Sequence, residues 1–534
     1  MAKFNPSSKG RNKTTNHEGD VGYKMNNKLE LYSTVCVANL EPRFYETTGE
    51  TINRIRELVK VTDPVFVAKL ASYTRNQMYL RSVPVVLTAE LAKIHNGDNL
   101  VRKLCPHTVK RADEINELLS YYTFINKDNH KKLGNGQTKS LCKLSKQLQK
   151  GIADCFHTFD EYQFAKYNRK TDVRFRDALF LTHPKPLNDK EKALFEKIAN
   201  DTLDVPYTWE VEFSKLGQQN FATEQDKKDA FRDKWQELID SKKLGYMATL
   251  RNLMNMIEND IDKPHIKTVA QFLSDKQAVA RSRQLPFRFL SAYRMVSGEK
   301  PARRLFYRTF GSPALQPSKV TTSNTMLLNA IEDAVKHSAQ NVKGFDYNTD
   351  VLIACDVSGS MQQNISKNSS VQLYDIGLLL GMILQHKCKS VITGIFGDEW
   401  LAYPLPQSSI LHNVNELHKI EGKVGYATNG YKVIEWLNQH KQSMDKVMIF
   451  TDCQMWNTGY GTGNFRREWT EYKKNVNPNA KLYLFNLAGY RTTPIQIDNN
   501  DVFLISGWSD KIFEMLDAIE KGSNAVKEIE SLPL

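Results

Sequence analysis

Five oxygen-bearing side chains set the chemistry that this chain can be expected to do. The stretch VLIACDVSGSM at residues 351–361 runs an apolar segment straight into Asp356, Ser358 and Ser360. One carboxylate and two hydroxyls on alternate residues of a tight loop can converge on one point, and hard cations such as Mg²⁺ take oxygen ligands. Thr428 follows in the loop GYATNG, and Asp452 ends the apolar segment KVMIFTD. Asp356, Ser358, Ser360, Thr428 and Asp452 are therefore the expected metal ligands, with Mg²⁺ the expected divalent cation. The plain alternative is an intact loop that never takes a metal. No general base, nucleophile pair or phosphate-cradling loop accompanies the five, so the set reads as a binding site and no enzyme is expected.

A second group of side chains is cationic. Lys166, Arg169, Lys170, Arg174, Arg176 and Lys185 lie in YQFAKYNRKTDVRFRDALFLTHPKP, interleaved with Tyr167 and Phe175. Cations neutralise phosphates and aromatic faces stack on unpaired bases, which makes this stretch a candidate RNA surface. The alternative is a solvated loop with Phe175, Leu179 and Leu181 as core. Farther on, MATLRNLMNMIE carries Arg251 inside an apolar segment. A buried Arg without a partner is costly, so Arg251 either pairs with a carboxylate or faces a polar lumen, where RNA could meet it.

The charge distribution separates the two groups. Residues 346–534 hold 17 Lys and Arg against 21 Asp and Glu, whereas the preceding 345 residues carry a net +17. A basic half joined to a slightly acidic one suggests that the basic half meets a polyanion. The alternative is a solvated lysine-rich surface.

The elements that must position these residues change character along the chain. At 534 residues the chain exceeds a single hydrophobic core. Residues 28–125 read as short amphipathic helices, with Asp63-Pro64 as one cap, Ser82 as another and a helix end near Tyr79. LCKLSKQLQKGIADC is a further helix after the glycine-rich turn LGNGQTKS. Residues 187–265 read as charged helices interrupted by TWEVEFSKLG, and residues 300–319 as a long loop with three prolines. The rhythm suggests an α-solenoid of the HEAT type. From residue 346 strands and helices alternate, as in a mostly parallel α/β sheet with its site at the carboxyl ends of the strands.

The boundaries that follow are a polar basic arm at 1–26, a helical-repeat domain at 27–345, an α/β domain at 346–525 and a short tail at 526–534. The arm lacks an apolar h-region, so no secretory signal is expected, and it reads as partly mobile. No 18-residue apolar stretch occurs, so no membrane association is expected. The 7 cysteines are scattered with no C-x-x-C, which points to reduced, mostly buried thiols and a cytoplasmic protein. A monomer is expected.

With both halves read, the chain resembles the Ro ribonucleoproteins of the TROVE-domain family, in a form closer to bacterial or phage members. The resemblance rests on NHEGDVGYKMNNKLELYSTV, LEPRFYE, YLRSVPVVLTAELAKI, DALFLTHPKP, MATLRNLMNM, LPFRFLSAYRM and DVSGSM, which follow one another in the family's order. It implies a multi-domain fold: an all-α HEAT-like helical-repeat ring, followed by an α/β, Rossmann-like von Willebrand factor A domain. It also implies that the Asp356 loop is a metal-ion-dependent adhesion site, open at one position to an acidic group on a ligand. GYATNG departs from the family's usual GGTD at this site.

The resemblance implies partners as well. Small noncoding Y-like RNA binds the outer basic surface of such rings, and single-stranded 3′ ends of misfolded RNA enter the central hole. Bacterial relatives tether a Y RNA to an exoribonuclease. His183 falls on the histidine of the family's SHxKP motif, a position linked to RNA binding. Two readings result. One is a non-enzymatic protein that binds noncoding RNA in RNA quality control or the stress response. The other is a metal-dependent protein-adhesion scaffold built on the A domain. A nuclease is a weak third.

Overall fold

Helix starts are written locally in this chain. The Asp63 carboxylate accepts from Phe66 N–H at 2.9 Å, so the cap and the following proline open the helix Pro64–Asn76 together. Ser82 is the first residue of the helix Ser82–Ile94 and not its cap, a position that Arg81 holds without a side-chain bond. The preceding helix closes at Asn76, and Tyr79 takes a left-handed conformation in the turn. TWEVEFSKLG forms the helix Trp209–Gly217 and does not interrupt the helical run. Two helical regions not foreseen, Leu100–Thr108 and Lys263–Ser274 with Lys276–Ser282, complete the run.

The computed structural model describes residues 12–38, 40, 45–126, 144–298, 322–338, 349–366, 369–456, 464–498 and 500–534. The glycine-rich turn at 133–140, Cys142 and the loop at 300–319 lie outside the described residues. The six described cysteines are buried and free. Among the described residues no helix is long and apolar enough to cross a membrane.

Two compact units divide the chain. One comprises Met1–Thr48 and Glu212–Ala525, the other Gly49–Val211 and Val526–Leu534. The helices after residue 212 group with the α/β domain for a physical reason. The helices Pro286–Ser297 and Thr322–Ser338 pack on the helix Leu373–Lys387. A buried ion pair fastens the first of them, with Arg294 giving Nη2 to Asp375 Oδ1 at 2.7 Å and Nη1 to Oδ2 at 2.9 Å.

The unit of residues 49–211 is helical. The helix Leu100–Thr108 lies so close to Lys146–Phe156 that a Cβ on Gly151 would sit 2.6 Å from Cys105 Sγ. Glu114 is fully buried there, accepting from Arg75 Nη2 at 2.8 Å and from the N–H groups of Lys110 at 2.8 Å and Arg111 at 3.0 Å.

The other unit holds a six-stranded sheet, order β5-β4-β3-β6-β7-β9. Its strands are β3 (Asp350–Asp356), β4 (Ser390–Phe396), β5 (Trp400–Ala402), β6 (Lys446–Thr451), β7 (Lys481–Asn486) and β9 (Val502–Ser506). All pairings are parallel except β4 with β5. β3 and β6 lie side by side in the middle and read as continuous apolar runs because both faces are covered. Residues 13–15 and 21–24 of the expected N-terminal arm form sheet structure. β1 (Lys13–Thr15) and β2 (Val21–Lys24) form an antiparallel hairpin, and β2 pairs onward with β8 (Thr492–Thr493).

Candidate metal centre and nucleic-acid interface

Adjacent parallel strands bring the metal loops together. β3 ends at Asp356, and its neighbour β6 ends at Thr451, one residue before Asp452. Asp356 Oδ1 accepts from Ser358 N–H at 2.9 Å, which folds the loop back on itself. Ser358 Oγ and Ser360 Oγ then stand 3.3 Å apart, and the Ser360 hydroxyl also lies beside Asp452. The GYATNG loop touches both partners. Tyr426 O accepts from Gly359 N–H at 2.9 Å, and the Trp456 N–H donates to the Thr428 hydroxyl at 3.0 Å and carbonyl at 3.2 Å. All five expected ligands are buried.

The two carboxyls of the site lie where ionisation is opposed. Burial pushes the Asp356 carboxyl well above the usual carboxylate range, and burial plus the Asp356 charge does the same to Asp452. Asp452 Oδ1 accepts from Gln454 N–H at 2.9 Å, but its Oδ2 is buried with no hydrogen-bond partner among the described residues. Two carboxylates and three hydroxyls, all oxygen donors, fit a hard divalent cation. Thr451 was not foreseen. Its hydroxyl donates to Asp356 Oδ2 at 2.6 Å and holds the carboxylate in place, and its position at the end of β6 was the available signal.

A titration checks this arrangement. Both carboxyls bind protons more tightly when folded, so their contribution to stability is complete below the ordinary value of about 3.9 and is lost as pH rises through the raised ones. In EDTA, the thermal midpoint is expected to fall with rising pH across that window, and less steeply in Asp452→Asn. Equal slopes for the two proteins would show that the pair does not hold the raised carboxyls.

The cationic stretch lies wholly in the helical unit. The helix Glu161–Tyr167 buries Phe164, against which Phe175 packs edge-on at 5.1 Å. Phe175 is 2% exposed and therefore belongs to the core, not to a stacking surface. Phe175, Ala178, Leu179 and Thr182 form the buried face of the helix Phe175–Thr182, and Leu181 is half-buried. Arg176, Phe180 and His183 follow at i, i+4 and i+7 on its exposed face, so helical spacing alone could have found Phe180. The Arg176 guanidinium lies 5.7 Å from the Phe180 ring centre. His183 ends the helix in a left-handed conformation, φ 50°, with its N–H on Leu179 O at 2.9 Å.

Lys166, Arg169, Lys170, Arg174, Arg176, His183 and Lys185 are all exposed. Elsewhere in this unit Arg56, Arg75, Arg81, Arg102 and Arg111 each meet a carboxylate. Among the described residues Arg169, Arg174 and Arg176 meet none. Tyr167 is half-buried under Arg111, 4.2 Å from its ring centre, while Tyr162 is 46% exposed. Arg251 belongs to a different part of the chain. It lies in the other compact unit, exposed at the end of the helix Tyr246–Arg251, where its charge opposes that of Arg288.

Comparison with known proteins agrees with the geometry. Residues 24–232 and 203–352 match the family model of the TROVE domain, and residues 350–519 match that of the Ro60 vWA domain. The chain belongs to the TROVE family of Ro ribonucleoproteins. This TROVE chain is 25% identical over 331 residues to telomerase protein component 1 of Rattus norvegicus and 26% identical over 339 residues to that of Mus musculus. Those alignments take in 46% and 50% of the TROVE chain but only 12% of either relative's length. The crystal structure of the Deinococcus radiodurans RO (RSR) protein matches it with a TM-score of 0.57 at 17% identity, covering 93% of this chain and 100% of that one. That likeness is one of fold: a helical region followed by an A domain.

Proposed function

We propose that this chain is a noncoding-RNA-binding protein that works without catalysis and uses its A domain as a docking point. The carrying observation is the contrast within the helical unit, where, among the described residues, the guanidiniums of Arg169, Arg174 and Arg176 meet no carboxylate while those of Arg56, Arg75, Arg81, Arg102 and Arg111 do. Exposed guanidiniums left unpaired are free to neutralise phosphates, and Arg pairs with phosphate bidentately. The ligands are a Y-like small RNA on this surface and misfolded RNA carrying a single-stranded 3′ end. The ring and central hole that the family resemblance implies, with Arg251 as a contact there, belong to this reading. So do the domain limits of 27–345 and 346–525, and a cytoplasmic monomer.

Mg²⁺ at Asp356, Ser358, Ser360, Thr428 and Asp452 is the second part. The partnerless buried oxygen of Asp452 supports it. The ion would supply a fixed positive charge to which an acidic group of a protein, such as an exoribonuclease, could bind. The same observation supports the second reading, a metal-dependent adhesion scaffold without RNA.

Binding of a labelled stem-loop RNA, with and without a 3′ tail, over a salt series tests the first reading. Affinity is expected to fall steeply with salt, and the tail is expected to strengthen binding. Equal affinity for both RNAs would remove the 3′-end part, and binding that ignores salt would remove the rest. Phe180→Ala is expected to weaken binding of a single-stranded RNA by about 1–3 kcal/mol, the worth of one stacked base. An Asp356→Ala chain that keeps its RNA but loses a protein partner would place the two functions in separate domains.

A further inference from the structure

A short turn of the N-terminal hairpin lies against the metal loops, and the metal chemistry alone does not explain it. Asn16 is buried and gives its Nδ2 to Met455 O at 2.8 Å. The His17 N–H donates to Gln454 Oε1 at 3.0 Å, two residues after Asp452. The turn closes on itself through Asn16 N–H to Asp20 O at 2.8 Å and Asp20 N–H to Asn16 Oδ1 at 2.9 Å, with Gly19 at φ +85°. The His17 ring stacks on Tyr45 at 5.0 Å and meets Tyr490 edge-on at 5.2 Å.

These contacts fix the residue between them, Glu18. Its carboxylate accepts from the Tyr45 hydroxyl. The turn on which it sits is hydrogen-bonded at Gln454 and Met455, two and three residues beyond Asp452, so it carries a third carboxylate to the edge of loops that already bury Asp356 and Asp452. A third anion brought beside two buried ones is costly in a folded protein unless a cation joins them. Among the described residues no three carboxylates, histidines or cysteines converge as a ready-made metal cluster, so Glu18 rests beside the site, on Tyr45. The five side chains of the site contribute only two charges, and a hard cation with six or more positions has room for a further oxygen. Asp452 Oδ2 is the partnerless buried atom that marks where the cation is needed.

We propose that Glu18 is the site's own acidic ligand: the turn at residues 16–20 delivers a third carboxylate to the divalent cation, at the position a partner's acidic group would otherwise take. A partner's carboxylate must then displace Glu18, and the hairpin sets how readily the A domain docks. The proposal rests on the metal reading above.

Mn²⁺ titration of the full chain tests it, with affinity read by calorimetry and the number of metal-bound waters by relaxation of solvent protons. Glu18→Gln is expected to weaken Mn²⁺ about tenfold and to add one bound water, since affinity at such sites follows ligand charge. Asp20→Asn removes the same charge from the same turn and is expected to change neither. Melting in EDTA checks that both variants fold. Unchanged affinity and water count in Glu18→Gln would overturn the proposal, as would an equal loss in Asp20→Asn, which would mark a general charge effect. If Asp356→Ala bound Mn²⁺ as tightly as the unmodified chain, the metal reading itself would fall.

Discussion

A chain carrying Lys170→Glu, Arg174→Glu and Arg176→Glu is expected to bind a stem-loop noncoding RNA about 100-fold more weakly at moderate salt. Each residue is exposed and, among the described residues, none is ion-paired, so the reversal breaks no internal bridge. Loss of about 1 kcal/mol per phosphate contact gives the hundredfold, and the salt slope is expected to shrink by roughly one for each contact removed. Arg102→Glu is the control. Arg102 is bonded to Asp154 at 2.6 Å, and its reversal is expected to cost a little stability and almost no RNA affinity. Mobility shifts across a salt series decide it. Parallel salt slopes for the triple variant and the unmodified chain would show that these cations do not touch phosphate.

Arg294→Met is expected to be the most destabilising single change, at about 3–5 kcal/mol. Arg294 and Asp375 are 7% and 1% exposed, and besides this guanidinium Asp375 has the Gln372 N–H at 2.8 Å. Removing the guanidinium leaves a buried carboxylate with most of its charge unmet. Arg294→Met with Asp375→Leu is expected to regain much of the loss, because a buried pair replaced by apolar groups can be nearly neutral. Urea unfolding of the three proteins measures this. A cost below about 1 kcal/mol for the single variant would mean that the site relaxes or admits water.

The α/β domain and its metal loop were the most legible parts of the sequence. Strands buried on both faces read as unbroken apolar runs, and β3 and β6 deliver Asp356 and Asp452 from neighbouring positions in the sheet. Thr451 escaped notice because it looks like any strand residue until its hydroxyl is seen on Asp356. The helix Leu100–Thr108 was obscured by Pro106, which sits near its end, where it disturbs little of the helix that follows. In the cationic stretch residue types are informative, but facing decides their role. Phe175 is an aromatic of the stacking kind, yet its spacing with Ala178 and Leu179 puts it on the core side. Glu18 had no local signal at all, because what makes it notable is loops more than 400 residues away.

The hairpin of β1 and β2 has a consequence for how the protein is made. The Thr493 hydroxyl reaches Tyr23 O across 470 residues of chain. At about 5–20 residues per second, a ribosome needs roughly half a minute to a minute and a half to supply β8 after β2 has emerged. Through that interval β1 and β2 have no mate for the outer edge of β2. They are then among the last pieces of sheet to be completed, and a nascent chain halted before β8 would leave that edge, and the turn carrying Glu18, without its place.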